Sequence, residues 1–220
     1  MDATALISEL AVTARIAART LNAATGVQRS AALLSIADAI DHRSAEILAA
    51  NEKDMVRGRA AGLNPSLLDR LLLTQARVAG IAEGARQVAA LDDPLGKTLR
   101  QSVLANGIEL QQITVPFGVI GMVYEARPNV TVDAAVILLK SGNAALLRGS
   151  SSAADSNQIL VTVMRDALMS RRSAPQRPGA MRTRPRCCGD RCSGPRCWCW
   201  PARWRWPFCP SASCHGTARV

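Results

Sequence analysis

Apolar residues recur at helical spacing through roughly the first 95 positions. Leu6, Leu10, Ala14, Ala17 and Leu21 stand three and four apart, which predicts one face of an α-helix. Thr25-Gly26 reads as the end of that helix. Leu33, Leu34, Ile36, Ala37 and Ile40 predict a second. Ser44 reads as the N-cap of a third, with Ile47, Leu48, Met55 and Val56 following and Gly62 beyond its end. Pro65 fits the first turn of a short helix through Leu71. Thr74 reads as the cap of a longer one that carries Val78, Ile81, Ala82, Ala85, Val88 and Ala89 and stops before Pro94.

The period then changes. Thr98–Leu104 and Ile108–Val115 flank Ala105-Asn106-Gly107, and Asn-Gly between β-rich runs predicts a hairpin. Its second arm presents Ile108 and Leu110 at period two. From Gly118 to Tyr124 the chain is almost continuously apolar, as in a strand covered on both faces. Glu125–Asn129 reads as a loop, Val130–Lys140 as an amphipathic helix closed by Gly142, and Ala144–Arg148 as a second strand. Gly149–Ser152 is a small-residue turn before a further helix over Ala153–Leu168. Strand, helix, strand, helix with short connections predicts an α/β class: N-terminal helices, a β-hairpin, then the first part of a parallel, Rossmann-like sheet.

Charge divides the chain sharply. Residues 1–170 hold 16 basic and 16 acidic residues, whereas 171–220 hold 11 Arg against one acid, Asp190. All seven Cys, all four Trp and seven of the eleven Pro lie in that last stretch. A balanced first part argues against a nucleic-acid module there. No apolar run approaches the ~20 residues of a membrane span. The start of the chain lacks a basic region followed by an apolar core, so no signal peptide is expected and the expected location is cytoplasmic. With no Cys before position 187, residues 1–170 offer no disulfide framework or thiolate metal site.

Two strand ends carry the candidate chemistry, because ligands of open parallel sheets sit at the carboxyl ends of strands. At the first, Asn129 precedes a predicted helix. It reads either as a plain N-cap or as an amide facing a developing oxyanion. Arg127 reads as a bidentate phosphate partner or as an ordinary ion pair with Glu125. At the second, Arg148 leaves a strand beside Gly149-Ser150-Ser151-Ser152, a place suited to a nucleotide phosphate or to a solvated arginine. No Gly-x-Gly-x-x-Gly and no Gly-x-Ser-x-Gly is present. His42 reads as a surface residue.

The run from Val115 to Ala135, which contains Tyr124-Glu125-Ala126-Arg127-Pro128-Asn129-Val130-Thr131-Val132-Asp133, resembles the gamma-glutamyl phosphate reductases (glutamate-5-semialdehyde dehydrogenases). So does Leu139–Gly149. Leu67-Leu68-Asp69-Arg70-Leu71, Arg86–Ala89 and Asn106-Gly107 extend the resemblance over roughly residues 5–168. It implies an aldehyde dehydrogenase-type fold and NADPH-dependent reduction of L-glutamyl 5-phosphate to glutamate 5-semialdehyde in proline biosynthesis. A cysteine thiolate would attack the acyl phosphate, phosphate would leave, and hydride from the nicotinamide would reduce the thioester. The resemblance gives Asn129 the polarisation of the carbonyl oxygen and Arg127 a contact with the acyl phosphate. It gives Arg148 and Ser150 the adenosine ribose and its 2′-phosphate. It also implies a homo-oligomer joined through the hairpin.

The resemblance stops near Leu168-Met169. The catalytic Cys, expected before Asn-Ala, has no counterpart, since no Cys here precedes Asn. Residues 171–220 are expected to be an aberrant, unfolded tail of the composition a GC-rich gene yields out of frame, which would leave the chain inactive. The alternatives are a non-catalytic fragment, or a tail whose Arg and Trp bind nucleic acid or an anionic surface. Metal binding by the tail lacks paired C-x-x-C knuckles.

Overall fold

The architecture comes from a computed structural model that describes residues 3–173. Five helices come first: α1 (Ala3–Asn22), α2 (Gly26–His42), α3 (Ser44–Ala60), α4 (Pro65–Leu71) and α5 (Gln75–Ala90). A hairpin follows, β1 (Thr98–Val103) and β2 (Glu109–Ile113). The chain then runs β3 (Val119–Val123), α6 (Pro128–Lys140), β4 (Ala144–Arg148), a short 3-10 helix (Ser151–Ala153) and α7 (Ala154–Ser173).

The core is helical. Leu33, Ile36 and Ile40 of α2 are fully buried against Val78, Ile81, Ala82 and Ala85 of α5, Val132 and Val136 of α6, and Leu160 and Val163 of α7. Full burial of each large aliphatic side chain contributes about 1.5–3 kcal/mol. Leu34 and Val56, read with the core positions, are exposed. Each lies one residue past a core position, which turns it about 100° away on a helix.

The expected face of α1 is corrected. Leu6, Leu10 and Ala17 are exposed, and Ala14 and Ala18 are buried against Val119, Ala144 and Leu146. The 20 residues of α1 extend about 30 Å. The five-residue strands beneath reach only about 17 Å. Only the second half of α1 therefore lies on the sheet, and small residues let it approach closely.

Two caps also differ from expectation. Thr25-Gly26 opens α2 instead of ending α1: the Gln28 N–H donates to Thr25 Oγ1 (3.2 Å), and Gln28 Oε1 accepts from the Thr25 N–H (2.8 Å). This reciprocal box satisfies two helix-end donors. Gly26 is required there because a Cβ would collide with the Asp93 carboxylate. Ser44 is the first residue of α3, whose N-cap is Arg43 with no side-chain cap bond. Thr74 caps α5 and Asn64 caps α4, with Pro65 in its first turn.

Buried polar side chains tie the helices together. Asp54, on α3 and fully buried, accepts from the N–H groups of Asp155 (3.2 Å) and Ser156 (2.8 Å), capping α7 from another helix. Ser156 Oγ also donates to it (2.6 Å), and Arg57 pairs with it. Arg29 donates to both oxygens of Asp93 (2.8 Å each) and to the Lys140 carbonyl (3.2 Å). Lys140 Nζ donates to Ser30 Oγ and the Ala89 carbonyl. The Arg29 pair and its neighbours lock α2, α6 and the segment after α5.

β1 and β2 pair antiparallel, with Val103 opposite Glu109 and Ser102 opposite Leu110. Gly107 turns the chain at φ +84°, which a side chain would resist. β3 and β4 pair parallel, Val119 beside Ala144 through Val123 beside Arg148, with α6 as the connection. The Gly118 N–H donates to Asn143 Oδ1 (2.9 Å), aligning the two strand starts. Among the described residues no third strand joins this pair. The expectation of an unfolded tail over 171–220 lies outside the described residues, except that 171–173 continue α7. So do all seven cysteines and the metal and nucleic-acid readings of the tail.

Candidate active site

Parallel pairing brings the carboxyl ends of β3 and β4 to one edge. The Tyr124 N–H donates to the Arg148 carbonyl (3.1 Å), so the ladder runs to the last residue of β4. Behind this edge Tyr124 Oη and Thr131 Oγ1 share a hydrogen bond (2.7 Å), and Thr131 Oγ1 donates to Asn157 Oδ1 (2.7 Å). The chain joins β3, α6 and α7. Gly149 passes so close that a Cβ would meet Asn157 and Tyr124.

Asn129 does not lie in a loop. α6 begins at Pro128, and Arg127 is the N-cap, without a side-chain cap bond. Proline supplies the helical φ and needs no hydrogen-bond partner in the first turn, so the helix starts two residues before Val130, the expected start. Asn129 is thus inside the first turn, and its reading as the N-cap is corrected: Arg127 holds that position. Its Nδ2 donates to Asp133 Oδ2 one turn later (3.2 Å). That bond fixes which end of the amide carries the donors.

Arg127 takes the ion-pair form of its two readings. Its Nε lies 2.9 Å from Glu125 Oε1, at an angle that leaves the buried N–H without a hydrogen bond. Glu125 is shared: Arg70 of α4 reaches its other oxygen at 3.2 Å. Arg77 of α5 pairs with Asp69 (2.8 Å) and donates to the Leu72 carbonyl (2.8 Å).

These side chains converge on an open cleft of about 420 Å³, lined by Asp69, Arg70, Arg77, Arg127, Asn129 and Asp133 with Leu72, Leu73, Gly80 and Ile81. Loss of water around Asp133 pushes its carboxyl above the usual aspartate value, against the opposing pull of the Asn129 hydrogen bond. The structure therefore brings Arg127 and Asn129 together. It places Arg148 and Ser150 outside that lining, at the end of β4. Ser150 Oγ accepts from the Ser152 N–H (3.3 Å) and caps the 3-10 helix. Arg148 is exposed and has no carboxylate at ion-pairing distance among the described residues.

His42 is exposed at the end of α2, with Nδ1 2.6 Å from the Asp38 carbonyl oxygen, and takes no part in the cleft. Sequence reading missed Arg70, Asp133 and the Tyr124–Thr131–Asn157 chain. Only Asp133 left a usable signal, its spacing of four from Asn129 on a predicted helix.

No protein-family profile matches the chain. A curated relative, gamma-glutamyl phosphate reductase of Geobacillus thermodenitrificans, is 56% identical over 154 residues, covering 70% of this chain and 37% of its own length. The chain is a homologue of the gamma-glutamyl phosphate reductases. It spans a little over a third of the curated relatives it matches. The solved reductase of Thermotoga maritima superposes with a TM-score of 0.72 at 40% identity, covering 74% of this chain and 39% of that one. An acetylating aldehyde dehydrogenase from Geobacillus thermoglucosidasius, 17% identical with a TM-score of 0.51, covers 74% of this chain and 33% of its own and shares the fold. The reductase-like region thus has a fold that aldehyde dehydrogenases also show. No helix among the described residues is long and apolar enough to cross a membrane.

Proposed function

We propose that residues 3–173 supply the cofactor-side and carbonyl-polarising part of an NADPH-dependent reduction of L-glutamyl 5-phosphate to L-glutamate 5-semialdehyde and phosphate. The same reading assigns this step to proline biosynthesis. The observation that carries it is the shared cleft of Arg127 and Asn129 at the carboxyl edge of β3. Asn129 presents amide N–H to an acyl oxygen as negative charge develops there. Arg127, which lines the same cleft, meets the phosphate through its guanidinium. Arg148 and Ser150 hold the nucleotide, for which an arginine without an ion-pair partner among the described residues, beside a small-residue turn, is a chemically fitting cradle. Bound NADPH would supply the hydride.

Residues 1–170 hold no cysteine and no Cys of the chain precedes Asn, so the 220 residues alone bind ligand without turnover. The same reading places the chain in the cytoplasm and pairs copies through the β1–β2 hairpin. The test is NADPH binding by the purified chain, read from nicotinamide fluorescence, beside an assay for semialdehyde formation. Arg148→Ala should weaken binding about tenfold, the loss of one charged phosphate contact. Failure to bind NADPH defeats the nucleotide role, and turnover at an ordinary enzymatic rate defeats the non-catalytic one.

A further inference from the structure

We propose that Asp133 receives the α-ammonium of the glutamyl group, making it the residue that selects an amino acid over a plain dicarboxylate. This rests on the substrate reading above. Three carboxylates stand in or beside the cleft, Asp69, Glu125 and Asp133, and their partners separate them. Asp69 is neutralised by Arg77, and Glu125 is held between Arg70 and Arg127. Asp155 and Asp54 are taken up by Arg57 deeper in the helices. Asp133 alone among the cleft carboxylates has no cationic partner among the described residues, and its one bond is the neutral amide of Asn129.

A partly desolvated carboxylate facing a cleft gains by taking up a cation there. Asp133 Oδ2 accepts from Asn129, which leaves Oδ1 for the ligand.

The spacing also suits the ligand. Asn129 Nδ2 lies 3.2 Å from Asp133 Oδ2, so the amide and the carboxylate stand side by side on one face of α6. In an extended glutamyl chain the reacting carbonyl carbon and the α-nitrogen are four bonds apart, about 5 Å. A substrate whose carbonyl oxygen lies on Asn129 therefore brings its ammonium to the level of Asp133. Arg127, on the other side of Asn129, is left for the phosphate. The first two turns of α6 thus act as a ruler with an anion end and a cation end.

The test titrates the full 220-residue chain calorimetrically with L-glutamate and with glutarate, which differ by the ammonium. The chain should prefer L-glutamate by about tenfold, the worth of one charge-assisted hydrogen bond. Asp133→Asn should abolish that preference, read as the ratio of the two affinities on the same variant, and Asp133→Glu should restore part of it. Equal affinity for both probes, no binding of either, or a preference surviving in Asp133→Asn would overturn the assignment. NADPH binding measured on the same samples separates the outcomes: a chain that binds NADPH yet ignores the ammonium loses only the role of Asp133. One that binds neither loses the functional reading as well.

Discussion

The helical layer and the β1–β2 hairpin both carry apolar residues at the period their geometry demands, but only the helices bury them. Leu33, Ile36, Ile40 and Val78 are at most 1% exposed, whereas Leu99, Val103, Leu110 and Ile113 of the hairpin are all at least half exposed. The hairpin is held by its ladder, by Gly107 and by the bond from the Ile108 N–H to Asn106 Oδ1 (3.2 Å). A two-stranded hairpin with no packed face is marginal in water. Local pattern determines which element forms, and burial depends on whether a second element lies opposite. Among the described residues, one does for α2 and none does for β2.

The sharpest way to break this comparison is in the centre of the helices. Ile36→Ala removes a fully buried side chain where α2, α5 and α7 meet. It should cost about 3–4 kcal/mol through lost transfer free energy and the cavity left behind. Chemical denaturation of the purified chain measures this directly. A loss below about 1 kcal/mol would mean that the helical layer is loosely packed.

A smaller effect is expected where the layer meets its polar ties. Burial alone would raise the Asp93 carboxyl, but the Leu95 N–H, the Arg29 guanidinium and Lys140 outweigh it and hold its pKa below the ordinary value. The sign follows from linkage. Because the folded value is depressed, the stabilisation is complete above the unfolded aspartate value of about 3.9. It disappears as pH falls through the lower folded value. Stability measured from pH 6 to pH 2.5 (a span chosen to bracket about 3.9) should therefore fall less steeply in Asp93→Asn than in the parent chain. The difference will be modest, since Asp93 is 39% exposed and solvent screens the pair. Identical slopes would show that Arg29 is held by the carbonyls of Ala24 and Lys140 alone.

The same contrast explains what was legible in the sequence. Helices with a repeated apolar face, such as Val78-Ile81-Ala82-Ala85, were readable because period alone specifies them. The Asn-Gly hairpin was readable because positive φ has few solutions. The start of α6 was not, because Pro128 extended the helix backward through Asn129 and changed that residue from a cap into a first-turn side chain. Of the site, the two strand ends were visible as motifs. Arg70 was not: it lies 55 positions from Glu125 and meets it only after α4 folds against the loop. Asp54 was invisible as a cap for the same reason, with 102 positions between it and Ser156. Side-chain pairings between distant elements leave no periodic trace.

The smallest expected change lies in the hairpin. Leu110 is 54% exposed, so Leu110→Ala should alter the stability of an isolated chain by no more than about 0.5 kcal/mol. The measurement gains force when repeated across protein concentrations. If the hairpin stands uncovered, parent and variant keep the same midpoint at every concentration. If copies pair through it, as the functional reading holds, the parent's thermal midpoint climbs with concentration by mass action. Leu110→Ala then flattens that climb while leaving the dilute-limit value unchanged. A substitution silent in dilute solution and costly in concentrated solution identifies an apolar face whose partner is another chain; one that is silent throughout leaves the hairpin with its ladder alone.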